Sequence, residues 1–190
     1  MSRIGKVSKQ YLERIILDNL KVKHPEMLHG PQYGVDVGVV NIDKGRVMVT
    51  TTDPLSIIPR LGLAESAWLS VHLLASDIAT SGFAPKYASL EFNLPPNMED
   101  REFEVYWKVI TKEFEKLRIG IISGHTGRYQ GCGYTVIGGG TMMGFGDKDK
   151  YLTTSMAEIG NSIVITKGAA IETTGILSRV FPEIVSEKLG

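Results

Sequence analysis

Cysteine is nearly absent. Cys132 stands alone among 190 residues, so no disulfide can close within the chain, which agrees with a reducing compartment. Net charge is missing too: lysine plus arginine and aspartate plus glutamate number 21 each. That balance removes the long-range field that draws nucleic acid or an anionic membrane surface. No apolar run approaches the roughly 18 residues that cross a bilayer, and Met1 to Gln10 lacks the apolar centre of a secretory signal. These absences lead us to expect a cytoplasmic protein with neither a nucleic-acid nor a membrane partner. Internal repeats are lacking as well. The hydrophobic content of 43% suffices for a core, and the length allows one large domain, or one complete domain with part of another.

What is present is a set of carboxylates at element ends. Asp36 lies in Gly34-Val35-Asp36-Val37-Gly38, Asp53 in Thr51-Thr52-Asp53-Pro54 and Asp77 in Ala75-Ser76-Asp77-Ile78-Ala79. Downstream come Ser123-Gly124-His125-Thr126-Gly127 and Gly138-Gly139-Gly140-Thr141. Magnesium prefers oxygen ligands and is usually held by one or two protein carboxylates plus substrate phosphates. Acids at strand and helix ends, with glycine-rich segments for phosphate, therefore suggest a magnesium-nucleotide site.

Periodicity predicts a helix over Ser8 to Val22, with Tyr11, Leu12, Ile15, Ile16 and Leu20 on one face and Ser8 as N-cap. Val35 to Ile42 and Arg46 to Thr52 read as strands joined by an Asp43-Lys44-Gly45 turn. Asp36 then begins one strand and Asp53 ends its partner, at the same end of an antiparallel pair. Ala64 to Thr80 repeats at helical spacing through Ala67, Trp68, Val71, Leu74, Ala75 and Ile78, which puts Asp77 at the edge of the core face. Pro85 to Leu94 is expected to be a strand, and Glu99 to Leu117 a packing helix with charges matched to its dipole. Ile119 to Ile122 reads as a short buried strand and Tyr134 to Phe145 as a longer one containing the glycine triplet. A strand over Ile163 to Thr166 and a helix near Ile171 to Val180 complete the chain. This mixed order fits α+β better than a doubly wound parallel sheet.

Several residues admit two readings. His125 is a ligand or general base, or else a structural or phosphate-bonding histidine. Cys132, between two glycines, is a reactive thiol paired with His125 or simply a small loop residue. Arg128 contacts phosphate through its fork of donors or is a solvated charge. Glycines 138 to 140 admit either a phosphate or tight packing across a dimer, since both exploit the missing Cβ.

In this order, the three acid segments, Gly5-Lys6, Ser123-Gly124-His125-Thr126, the Gly138 to Thr141 strand and Gly160-Asn161-Ser162-Ile163-Val164-Ile165-Thr166-Lys167-Gly168 resemble a known superfamily. It contains aminoimidazole ribonucleotide (AIR) synthetase, or PurM, together with selenophosphate synthetase, thiamine-monophosphate kinase and HypE. The Thr-Asp-Pro and Gly-His-Thr forms look most like its HypE-like, AIR synthase-related branch. The resemblance implies an N-terminal domain over residues 1–155, with a mixed or antiparallel sheet, helices packed on one side, and dimerisation into a β-barrel. Residues 156–190 would open a C-terminal domain that extends well beyond Gly190. It also implies Mg2+ and ATP as cofactors. Asp36, Asp53 and Asp77 would bind the metal, and Lys6, Thr52, Asp53, Asp77, Gly124, His125, Thr126 and Gly139 the nucleotide phosphates, with His125 the weak catalytic candidate.

The activity implied is magnesium-dependent use of ATP to activate or phosphorylate a small-molecule or carbamoyl-type substrate, provided the C-terminal domain is present. Such transfer needs positioning and charge stabilisation more than covalent help. Two features depart from the family: Gly127-Arg128-Tyr129 stands where several relatives have an acid, and only the opening strand and helix of the C-terminal domain are expected here. The C-terminal cysteine of HypE and the cysteine near the N-terminus of selenophosphate synthetases, the nucleophiles of those two chemistries, are not in this sequence. The alternative is a homodimeric assembly or nucleotide-binding module that kept the fold and lost turnover.

Overall fold

A computed structural model describes residues 5–189 of the chain. The Ser8 hydroxyl accepts a hydrogen bond from the Tyr11 amide at 3.2 Å and caps α1 (Lys9–Tyr11). The helix does not continue to Val22 as expected. Leu12–Ile16 widen into a π-helix, Leu17–Asn19 tighten into a 3₁₀ turn, and no residue of the segment is buried. A short amphipathic helix draws most of its stability from packing its apolar face, and here Tyr11, Ile15, Ile16 and Leu20 stay exposed.

Six strands follow: β1 (Met27–His29), β2 (Gly38–Asp43), β3 (Arg46–Ser56), β4 (Pro85–Leu94), β5 (Gly120–Arg128) and β6 (Val136–Asp147). They form one sheet in the order β1-β2-β3-β6-β4-β5. All neighbours are antiparallel except β4 and β5. The expected hairpin is present, with Asp43 opposite Arg46 across the turn at Gly45. Its outer details differ. Asp36 precedes β2 rather than beginning it, and Asp53 lies inside β3 rather than ending it. The strand continues through Pro54 because pairing with β2 stops at Gly38 and Thr50, so beyond that point only β6 pairs with it.

One face of the sheet carries the core. Val47, Val49, Thr51 and Leu55 of β3, with Ala88, Leu90, Phe92 and Leu94 of β4, alternate inward. They meet α2 (Leu63–Thr80) and α3 (Asp100–Leu117), whose buried positions include Val71, Leu74, Ile78, Tyr106, Ile110 and Phe114. The Phe92 ring stands edge-on to Phe103, Tyr106 and Trp107, which ties α3 to β4. Glu99 and Glu102 form a reciprocal capping box at the start of α3. Trp68, placed in the apolar row of α2 by periodicity, is 48% exposed instead.

Two glycines of β6 set the distance between α2 and the sheet. A Cβ on Gly140 would lie 2.6 Å from the Leu74 Cδ1 atom, and one on Gly144 would lie 2.9 Å from the Ala84 carbonyl and 3.0 Å from Ile78. The glycine-rich strand therefore makes room for a helix at these positions, a third possibility beside the phosphate and dimer readings. Gly138 and Gly124 are crowded by the backbone of β4, at Glu91 and Leu90 respectively. Only Gly139 faces open space, its nearest neighbour being the Asp53 carbonyl at 3.9 Å.

The C-terminal part corrects two further expectations. β5 is not a short buried strand but a nine-residue exposed edge that absorbs Ser123 to Thr126. Residues 163–166 form no strand, and Ile163, Val164 and Ile165 are 69–93% exposed. A β-branched run becomes a strand only when it pairs, and this segment is paired with no strand of the sheet. The expected helix does form as α4 (Ile171–Val180), followed by α5 (Pro182–Leu189). Arg128, at the end of β5, donates to the Pro95 and Met98 carbonyls and ion-pairs with Asp100. It clamps the edge strand to the start of α3.

Gly144→Ala should therefore destabilise the fold by about 1 to 3 kcal/mol, because a backbone carbonyl cannot yield as a side-chain terminus can. Gly139→Ala should change stability by less than about 0.5 kcal/mol. Urea denaturation midpoints of the two variants check the contrast.

Candidate functional site

Thr51 and Asp53 sit two residues apart on β3, so both project toward α2, in the same row as Val47, Val49 and Leu55. Helix α2 runs back along the sheet, with Leu74 over Gly140 and Ile78 over Gly144. Asp77, between those two contacts in sequence, is thereby lowered onto the carboxylate of β3. The Thr51 hydroxyl donates to Asp77 Oδ2 at 3.1 Å. Asp53, and Asp36 arriving from the segment before β2, are both close enough to act on Asp77 electrostatically.

The consequence is visible in Asp77. Burial pushes its carboxyl up from 3.8 to about 6, repulsion from Asp53 and then from Asp36 adds to the rise, and the Thr51 hydrogen bond partly opposes it. Among the described residues, no lysine or arginine forms an ion pair with any of the three. Nor do any three acids or histidines close into a ready ligand cage. The set is open, a pair of carboxylates with a third nearby. That donor chemistry fits magnesium, which keeps several waters and takes its remaining oxygens from substrate phosphates.

The other expected site residues lie elsewhere. Thr52 points to the opposite, open face of the sheet, where its hydroxyl meets that of Thr141 at 2.9 Å. Gly124, His125 and Thr126 belong to β5, separated from β3 by β6 and β4. Three strand spacings amount to roughly 14 Å at about 4.8 Å each. His125 is hydrogen-bonded to the Tyr129 hydroxyl at 2.6 Å and stacked on that ring. Gly139 borders Asp53 through its backbone pairing partner Gly140. Lys6 is exposed in a bend before α1 and does not figure among the charges acting on Asp77.

Thr51 was not singled out by sequence reasoning as a site residue. The signal was available: a hydroxyl and an acid interrupting the apolar face of a strand. Tyr129, the partner of His125, lies four residues on, but only the observed path of β5 beyond Thr126 brings the two rings together.

Comparison with known proteins places this geometry in context. A curated thiamine-monophosphate kinase from Haemophilus influenzae is 23% identical over 147 residues, spanning 75% of this chain and 43% of that protein. The fold matches AaThiL complexed with AMPPCP and TMP, at a TM-score of 0.54 and 18% identity, over 75% of this chain and 44% of that one. It also matches T. maritima PurL complexed with AMPPCP, at a TM-score of 0.56 and 14% identity, over 67% of this chain and 22% of that one. The chain thus spans less than half the length of these relatives. No helix among the described residues is long and apolar enough to cross a membrane. The family described as AIR synthase related protein, N-terminal domain, matches residues 34–146, the span that contains all three carboxylates and the whole of β2 to α3, β5 and nearly all of β6; to that family the chain belongs.

Proposed function

We propose that this chain is the nucleotide-handling part of a magnesium-dependent, ATP-using enzyme that activates or phosphorylates a small molecule, with its first domain ending near residue 155. The observation that carries the reading is the unneutralised cluster of Asp36, Asp53 and Asp77. Gathering like charges at a half-buried point raises the energy of the fold, and such an arrangement is characteristic of sites awaiting a cation or a reaction. The thiamine-monophosphate kinase relative and the ATP-analogue complexes of fold relatives support the choice of nucleotide.

In this reading Asp53 and Asp77 hold the metal directly, while Asp36 adds charge from outside and Thr51 keeps the Asp77 carboxylate pointed at its neighbour. When bound, magnesium supplies neutralising charge to phosphate oxygens. Gly139, the one open glycine of the triplet, leaves space beside Asp53. Within one chain Thr52, on the opposite sheet face, and Gly124, His125 and Thr126, three strands away, are not brought to these carboxylates. A homodimer is part of the proposal: the open sheet face, with its Thr52–Thr141 and Ser89–Ser123 hydroxyl pairs, and the exposed edge β5 are the surfaces it would cover.

Asp53→Asn should abolish magnesium-dependent ATP binding in titration calorimetry while leaving the circular dichroism spectrum unchanged. Unaltered binding would overturn the site. A stable dimer with no magnesium-dependent nucleotide affinity in the unmodified chain would favour the assembly-module reading instead.

A second expectation concerns pH. The folded-state value of about 6 for Asp77 lies above the ordinary 3.8. Between those values the folded chain holds a proton that the unfolded chain has released, so stability falls as pH rises through the window and stays lowered above it. Asp77→Asn keeps an acceptor for Thr51 and removes the repulsion. Allowing for partial exposure, it should stabilise the metal-free protein by about 2 kcal/mol at pH 7. The variant should also show a flatter thermal-stability profile between pH 4 and 6.

A further inference from the structure

A side of α2 adjacent to the one that carries Asp77 borders a cavity of about 640 Å³ whose other wall is α4. Small-molecule pockets commonly run from about 300 to 1,000 Å³. On the near wall the Trp68 indole stacks against His72, with ring centroids 4.1 Å apart and planes 31° from parallel. His72 is held in turn: its Nε2 lies 3.2 Å from Oε2 of the buried Glu113, whose Oε1 accepts from Lys116 at 2.6 Å. Lys116 and His72 keep the Glu113 carboxyl below the usual range, so the anchor is ionised. This chain of contacts props the indole in place, and half of its surface remains uncovered.

Gly175, in the middle of α4, is the second observation. It lines the same cavity, has no positive φ, and nothing lies within 4 Å of the point a Cβ would occupy. Glycine inside a helix costs stability relative to alanine, and here no packing contact requires it. Its effect is to leave open space on the α4 wall of the cavity that Trp68 also lines. Leucines 69 and 73 and Ile176 make the interior apolar, while the Glu65–Arg179 ion pair, at 3.3 Å, closes one end.

We infer that this slot binds a planar heteroaromatic ring of purine or pyrimidine size, stacked on Trp68 and bounded by the Gly175 face of α4. The Trp68 indole and the apolar side chains beside it take the ring faces. Polar groups at the border, His72, Ser76 and Lys167, meet its ring nitrogens and exocyclic substituents. Ser76 lines the slot and Asp77 does not, the two lying about 100° apart around α2, so the inference does not depend on the phosphate reading.

Adenosine and cytidine, titrated without magnesium into the full chain, provide the test. The indole N–H resonances of Trp68 and Trp107 are followed by NMR and assigned from the Trp68→Ala spectrum. The Trp68 signal should move saturably and the Trp107 signal should not. Trp68→Ala and Gly175→Leu should each weaken ligand-observed binding roughly tenfold, the scale of one lost stacking partner. Asp53→Asn should leave it intact. The inference fails if neither nucleoside moves the Trp68 signal, or if both variants bind as the unmodified chain does. Loss of binding in Asp53→Asn would place the ring at the carboxylates and equally overturn it.

Discussion

The close approach of α2 to β6 is the constraint on which the rest depends. Gly140 and Gly144 remove the two side chains that would hold the helix off the sheet, and Leu74 and Ile78 occupy the space. The helix is also fixed along its length. Ser66 accepts from the Ile58 amide at 3.0 Å, and the Ser70 hydroxyl meets the buried Tyr106 hydroxyl at 2.8 Å. With depth and position set, Asp77 has little freedom about where its carboxyl goes, and it goes beside Thr51 and Asp53. A helix standing farther from the strand would give the same three acids and no cluster.

That placement works against the stability of the fold. Asp77 is partly buried near two other carboxylates with no described lysine or arginine ion-paired to it, and burial and that repulsion push its carboxyl up to about 6. Elsewhere the chain does pair its buried charge: Glu113 is met by both His72 and Lys116. The contrast supports the proposed reading of the acids as a place for a positive ligand. Sites of this kind commonly trade stability for function.

Much of the architecture was legible from periodicity. Pro85 to Leu94 and Ile171 to Val180 fall where expected to the residue, and α2 and α3 within one residue, because long apolar repeats carry strong local signals. The failures share a cause. Residues 8–22 and 163–166 have the right pattern for a helix and a strand, yet a pattern acts only through a surface to pack on, and neither segment meets one in the described residues. The acid cluster was legible as a set of segments, since Asp36, Asp53 and Asp77 stand beside small or hydroxylated neighbours. The position of His125 was not, because the order of strands across a sheet is a long-range property that spacing in sequence does not encode.

That strand order also governs how the chain acquires its shape. β6, made last, is the strand that joins β3 to β4. Until residue 147 has been added, the β1-β2-β3 ribbon and the β4-β5 pair have no hydrogen-bonded link, and the backbone groups along their facing edges have no partner. Closure must therefore come late and all at once, through contacts distant along the chain, which is the topology that folds slowly. The strand that joins the two edges is rich in glycine, which is intrinsically a weak strand former.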